Sequence, residues 1–196
     1  SVDTVNNTVT ANTQNFSYFA LIGDSVSSGG TDAGSGGGGG GYRLPPSQVN
    51  LLGVAYPGAT LTILKDGLIF IDGLTADNSG AFEVKTFDIS PEGIYNFGFR
   101  VNDTEGRKAA PFSVTLTVQA SLTFAVKGIL VPPTIELGKS VLKKGEELKI
   151  FGQSAPQSEV IVSIIDSYGN EAGMKKSQAG VDGRWLLSFN TTRPCD

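Results

Sequence analysis

One pattern is written twice in this chain. The first copy reads VNLLGVAYPGATLTILKDG and the second LKIFGQSAPQSEVIVSIIDSYG. Gly53 aligns with Gly152, Pro57 with Pro156, Leu61 with Val160 and Ile63 with Val162. Farther along, ADNSGAFEV (Ala76–Val84) aligns with AGVDGRWLL (Ala179–Leu187), setting Gly80 against Gly183 and Phe82 against Trp185. A diverged repeat means that one supersecondary plan is used twice, and each use has an apolar face to bury.

The plan is a strand plan. Leu61 and Ile63 share one face of ATLTILK, and Val160, Val162 and Ile164 share one face of EVIVSII; period two marks a half-buried strand. Pro57-Gly58 reads as a turn, since proline presets φ and glycine accepts the positive φ that follows. Asp66-Gly67 is a two-residue hairpin signal. Asn78-Ser79-Gly80 and Asp182-Gly183 each launch a strand whose second residue is aromatic, so Phe82 and Trp185 are expected at equivalent core centres. The first copy continues with Gly93–Asp103, where Tyr95, Phe97, Phe99 and Val101 alternate, and with Pro111–Gln119, where Phe112, Val114, Leu116 and Val118 do. Lys143–Glu146 reads as a turn, and Pro132-Pro133 as a stiff extended joint. Short strands between Gly, Pro and Asp turns predict an all-β chain of tandem antiparallel β-sandwiches of Ig-like type, over 43–128 and 129–196. The second copy shows no equivalents of Gly93–Asp103 and Pro111–Gln119. The C-terminal sandwich is therefore expected to be incomplete, with an open edge.

Residues 1–24 hold strand-like runs at Thr8–Thr13 and Phe16–Ile22, with Asn6-Asn7 as a hairpin turn. So few strands need something to pack on, either an upstream domain or a neighbouring copy to which they are donated. Residues 25–42 are rich in Gly and Ser, including Gly36–Gly41, and read as a flexible tether. A phosphate-binding glycine loop would need a helix after it, and no helical pattern follows. The segment FALIGDS (Phe19–Ser25) resembles the first block of GDSL-type esterases, which implies Ser25 as a nucleophile. The base in that family is histidine, and this chain has none. Without histidine no Ser-His-Asp or Cys-His arrangement can form, nor a His-based metal site. A Ser-Lys pair is the remaining route, but the chain after Ser25 runs into glycine. Ser25 is read as the end of a strand, and the chain as non-enzymatic.

A net charge of −4 gives no footprint for nucleic acid. No apolar run is long enough to span a bilayer. The single cysteine, Cys195, excludes an internal disulfide and is a candidate for pairing between chains. The chain opens on Ser1, so an origin within a longer or processed precursor is expected. No cofactor is expected; Asp66, Asp77, Asp166 and Asp182 are turn residues whose alternative role is to bind calcium at interdomain turns. Asn6, Asn15, Asn102 and Asn190 each begin an Asn-x-Ser/Thr acceptor triplet. Tyr42, Tyr56 and Tyr168 are the aromatic candidates for stacking on sugar rings.

GVAYPGATLTILKDG, TADNSGAFEV and GIYNFGFRVNDTEGRKA resemble bacterial Ig-like repeat domains found in tandem on large secreted and cell-surface proteins. The second copy, with DGRWLLSF, is similar to the same group. The likeness runs over about Pro45–Asn190 and rests on turn and core positions, among them Gly53, Pro57, Gly80, Phe82, Gly152, Pro156, Gly183 and Trp185. It implies an extracellular spacer, stalk or adhesion module whose partners are other domains of the same surface protein or neighbouring copies. The alternatives are a carbohydrate-binding accessory module of a secreted enzyme, with a glycan or protein ligand, and a subunit of a head-to-tail fibre built by strand donation.

Overall fold

The computed structural model describes residues 2–3, 8–9, 19–20, 46–89, 91–143, 145–165, 168 and 171–190. These residues hold strands and turns and no helix, so none is long and apolar enough to cross a membrane in that form. Ser25, Tyr42, Asp166 and Cys195, the Asn6 and Asn15 triplets, and most of the 1–24 and 25–42 segments lie outside the described residues.

Two short strands near the start, β1 (Val2–Asp3) and β2 (Thr8–Val9), pair antiparallel, and β3 (Phe19–Ala20) lies parallel to Val114–Thr115. The first unit comprises β4 (Ser47–Val54), β5 (Thr60–Lys65), β6 (Leu68–Thr75), β7 (Ala81–Ile89), β8 (Gly93–Asn102), β9 (Phe112–Val118) and β10 (Thr123–Leu130). They form two facing sheets, of order β10-β4-β7 and β3-β9-β8-β5-β6. One core lies between them, because the alternating residues of both sheets point inward: Val49 and Leu51, Phe82 and Val84, Leu61 and Ile63, Tyr95 through Val101, Val114 through Val118. Phe99 stacks on Phe112 at 4.8 Å between centroids and tilts against Phe82 at 6.3 Å. The β5–β6 turn takes positive φ at both central residues, Asp66 (51°) and Gly67 (84°), as a type I′ hairpin needs.

The second unit comprises β11 (Glu136–Leu137), β12 (Glu147–Gln153), β13 (Glu159–Ile165), β14 (Glu171–Gln178) and β15 (Arg184–Asn190). Its sheets are β11-β12-β15 and β13-β14, around a separate core of Ile150, Val160, Val162, Ala179, Trp185, Leu187 and Phe189.

Two features differ from the sequence reading. The sheets are not purely antiparallel: β10 runs parallel to β4, and β3 parallel to β9. The chain leaves β9 in one sheet and crosses to the other, helped by Ser121 at φ 61°, so β10 returns in the same direction as β4. In addition, β10 runs through the 128/129 boundary to Leu130, and Val131 still donates to the carbonyl of Val54. The glycine at that boundary, Gly128 (φ 75°), sits in a bulge inside the strand and ends nothing.

Candidate functional site at the joint between the units

The repeat positions occupy matched places. Gly53 pairs with Phe82 across β4 and β7, and Gly152 pairs with Trp185 across β12 and β15. Each glycine allows a close pass: a Cβ on Gly53 would stand 2.3 Å from the carbonyl oxygen of Ile129, and one on Gly152 2.0 Å from that of Thr134. The turn bonds repeat too. Ala55 N–H donates to Gly80 O, and Ser154 N–H to Gly183 O, at 2.7 and 2.8 Å. Ala76 N–H donates to Ala59 O, and Ala179 N–H to Ser158 O, both at 2.9 Å.

These turns also bring the units together, and the contact is reciprocal. Gly80 of the first unit abuts the ring of Pro156 in the second, and Gly183 of the second abuts Pro57 and Tyr56 of the first. Both glycines have positive φ, at 80° and 77°, and both turns are tight enough that a Cβ would meet 2.5 Å contacts with backbone oxygen. The two units thus meet through the same end.

A buried polar cluster lies beside this contact. Asp103 follows the last residue of β8 and opens a five-residue loop closed by Asp103 N–H to Arg107 O and Gly106 N–H to Asp103 O. Its Oδ1 accepts from the N–H groups of Glu105 (3.0 Å) and Arg107 (2.9 Å). Its Oδ2 accepts from Arg107 Nε at 2.6 Å and, across the joint, from Thr134 Oγ1 at 2.8 Å. Thr134 Oγ1 in turn accepts from the N–H of Gln153 at 2.9 Å. The Asp103 side chain is fully buried and that of Arg107 is 10% exposed. Burial by itself would raise the Asp103 carboxyl; the bonds from Arg107, Thr134 and the loop amides outweigh it and hold the group below the usual carboxylate range. Arg107 also reaches Glu105 and, in the second unit, Glu136, and lies over the ring of Phe151. Arg184 reaches back to Glu105 at 3.0 Å. Gln153 Nε2 donates weakly to Thr104 Oγ1, and Gln153 Oε1 is buried with no partner among the described residues.

Tyr56 is not a surface platform for sugar: it is fully buried, and its hydroxyl donates to Pro132 O at 3.4 Å. Burial, with the charge of Asp103 behind it and Arg107 partly offsetting, pushes its hydroxyl well above the ordinary phenol range. Tyr168 is 89% exposed. The described turn aspartates serve their own turns. Asp66 accepts from Asn96 N–H, Asp77 from Ser79 and Ala81, and Asp182 from Arg184 N–H. Among the described residues no three acidic, Cys or His side chains gather as a metal site. Asn102 and Asn190 are exposed. The chain has one Ser-x-x-Lys spacing, Ser140–Lys143, and both residues are exposed ahead of β12.

Pattern reading singled out the turn glycines but missed Asp103, Arg107, Thr134 and Gln153. A signal for Asp103 was present. Asp77-x-x-Gly80 and Asp103-x-x-Gly106 are the same loop, with the aspartate accepting from the second and fourth amides after it. The second unit modifies this: Gly180 replaces the aspartate, and Asp182 occupies the space that a Cβ at Gly180 would take, 2.7 Å away. Neither protein-family models nor curated protein sequences contain a match to this chain.

Proposed function

We propose that the chain is a non-enzymatic structural or adhesion module of a bacterial surface protein, built of Ig-like sandwiches that hold a distal element at a set distance and angle. The carrying observation is the joint, where reciprocal turns and a buried Asp103–Thr134 bond tie the two units. A hinge meant to swing would be wet and sparsely bonded; this one buries a charge and pairs it across the boundary. Strand pairing supports the Ig-like assignment, with β4–β7 in one sheet and β9–β8–β5 in the other. So does Tyr95, near the start of β8, whose hydroxyl donates to the carbonyl of Pro91 four residues upstream, as in a tyrosine corner. A chain without histidine supports the absence of acyl-transfer chemistry at Ser25.

Small-angle scattering tests the reading. The wild-type profile should fit one fixed arrangement of the two units at neutral pH. Asp103→Ala removes one partner of a buried pair, at about 3 kcal/mol, and should broaden the distribution of inter-unit distances without loss of strand signal in circular dichroism. A wild-type profile that requires a wide ensemble of orientations sinks the rigid-spacer reading.

A further inference from the structure

The outward face of the five-stranded sheet carries a cleft of about 410 Å³ where the chain comes back from β8 toward β9. Its position follows from a bulge. Asn102 stands opposite Lys108 and Phe99 opposite Phe112, so the returning chain has one residue more than β8 over the same span. Pro111 sits in the extra length and has no N–H to give to the ladder. The two backbones part there, and a bulge re-aims the side chains beside it. Thr62, Arg100, Asn102, Lys108, Ala109 and Pro111 line the opening.

Thr62 stands opposite Arg100 across β5 and β8. Thr62, Arg100 and Asn102 project from one face, because Leu61, Phe99 and Val101 between them point into the core. Lys108, opposite Asn102, shares that face. Arg107 and Arg184 are bonded to carboxylates, whereas Arg100 and Lys108 have no ion-pair partner, in a chain of net charge −4. The carboxylate in the same row, Asp72, accepts from Thr62 Oγ1 at 2.7 Å. With its proton committed there, Thr62 offers the cleft an acceptor. The lining therefore combines two unpaired cations, an acceptor hydroxyl, a carboxamide and a small apolar floor.

We propose that this cleft binds an acidic sugar, with Arg100 and Lys108 on its carboxylate, Thr62 and Asn102 on its hydroxyls, and Pro111 and Ala109 against the apolar side of the ring. A guanidinium fork matches a carboxylate in two bonds, and the lysine adds a point charge beside it. The volume is that of a small-molecule site. The strands of the floor are paired on both sides, β5 by β6 and β8, and β8 by β5 and β9. No backbone row is open there for an acidic peptide to add to as a strand, so binding falls to side chains acting on a compact ligand. No aromatic ring is among the lining residues. Charge-assisted bonds then carry the affinity, and a neutral sugar lacks the group they need.

The inference rests on the adhesion reading and deepens it by naming a ligand class. Its test keeps Asp103, Arg107 and Thr134 in place, so binding and the scattering result can fail separately. Titration calorimetry on the full chain at low salt uses sialyllactose and trigalacturonate, with lactose as the neutral match and hexaglutamate as the acidic peptide. Binding of at least one acidic sugar is expected, with none of lactose or hexaglutamate at equal concentration. Arg100→Gln should weaken that binding at least about tenfold, and Lys108→Gln should act in the same direction. Lys127→Gln, an equal loss of charge on β10 in the other sheet, should leave it unchanged. A reading free of substitutions comes from amide chemical shifts of the wild type, which should move on titration at Arg100–Asn102 and Lys108–Ala109. The proposal is overturned by binding of neither acidic sugar, or by lactose or hexaglutamate binding as tightly as the acidic sugar. It is equally overturned by an affinity that survives Arg100→Gln, by an equal loss in Lys127→Gln, or by shifts confined to another part of the chain.

Discussion

Trp185 is the only tryptophan of the chain and lies 3% exposed in the second core, yet its Nε1 has no hydrogen-bond partner among the described residues. An unpaired buried N–H costs about 1–3 kcal/mol, so the indole contributes through area and not through its polar end. Phe82 shows that a phenyl ring suffices at the equivalent place. Trp185→Phe should therefore change stability by no more than about 1 kcal/mol, because the lost area is offset by removal of the orphan donor. Trp185→Ala leaves a cavity and should cost about 3–5 kcal/mol. Chemical denaturation followed by circular dichroism separates the two. Equal losses in both variants would mean that the indole nitrogen has a partner after all.

At the scale of elements, the glycines that face the aromatics set how closely strands approach. Alanine at Gly53 or Gly152 places a methyl group against a backbone carbonyl that cannot rotate away, and should cost about 1–3 kcal/mol or more. Gly138 is the contrast: a Cβ there meets only 3.4 Å contacts, so Gly138→Ala should stay within about 0.5 kcal/mol. Denaturation midpoints for the three variants check the ranking, and a Gly152→Ala protein as stable as Gly138→Ala would refute the close-pass account. These elements were legible in the sequence because each signal is local. Alternation in Tyr95–Val101 names the dry face of β8, and Asp66-Gly67 names the turn between β5 and β6. Strand β10 was not legible, since TFAVKGIL carries an exposed Lys127-Gly128 that breaks the period, and its partner β4 lies far back in the chain.

At the scale of the whole molecule, the joint makes stability depend on acid. Asp103 has a folded-state pKa below its unfolded value, so its contribution is fully present above the ordinary carboxylate value near about 4 and is lost as pH falls through the lower folded value. Lowering the pH from about 5 toward 2 should thus lower the melting temperature of the wild type. Asp103→Asn should begin lower at neutral pH and show a flatter acid slope. Melting curves across that range decide it; parallel slopes for the two proteins would remove Asp103 from the account.

What the sequence determined alone was which residues face a dry interior and where the chain turns, because period-two alternation and the backbone freedom of Gly, Pro and Asp act over a few residues. The end through which the units meet, and the burial of Asp103 within that contact, were decided by the tertiary structure. The bonds concerned join Asp103 to Thr134, Thr104 to Gln153 and Tyr56 to Pro132, across separations of 31, 49 and 76 residues. A polar residue at the end of a strand looks the same in sequence whether water or another unit covers it; only the packing of remote segments supplies the partners that make its burial favourable.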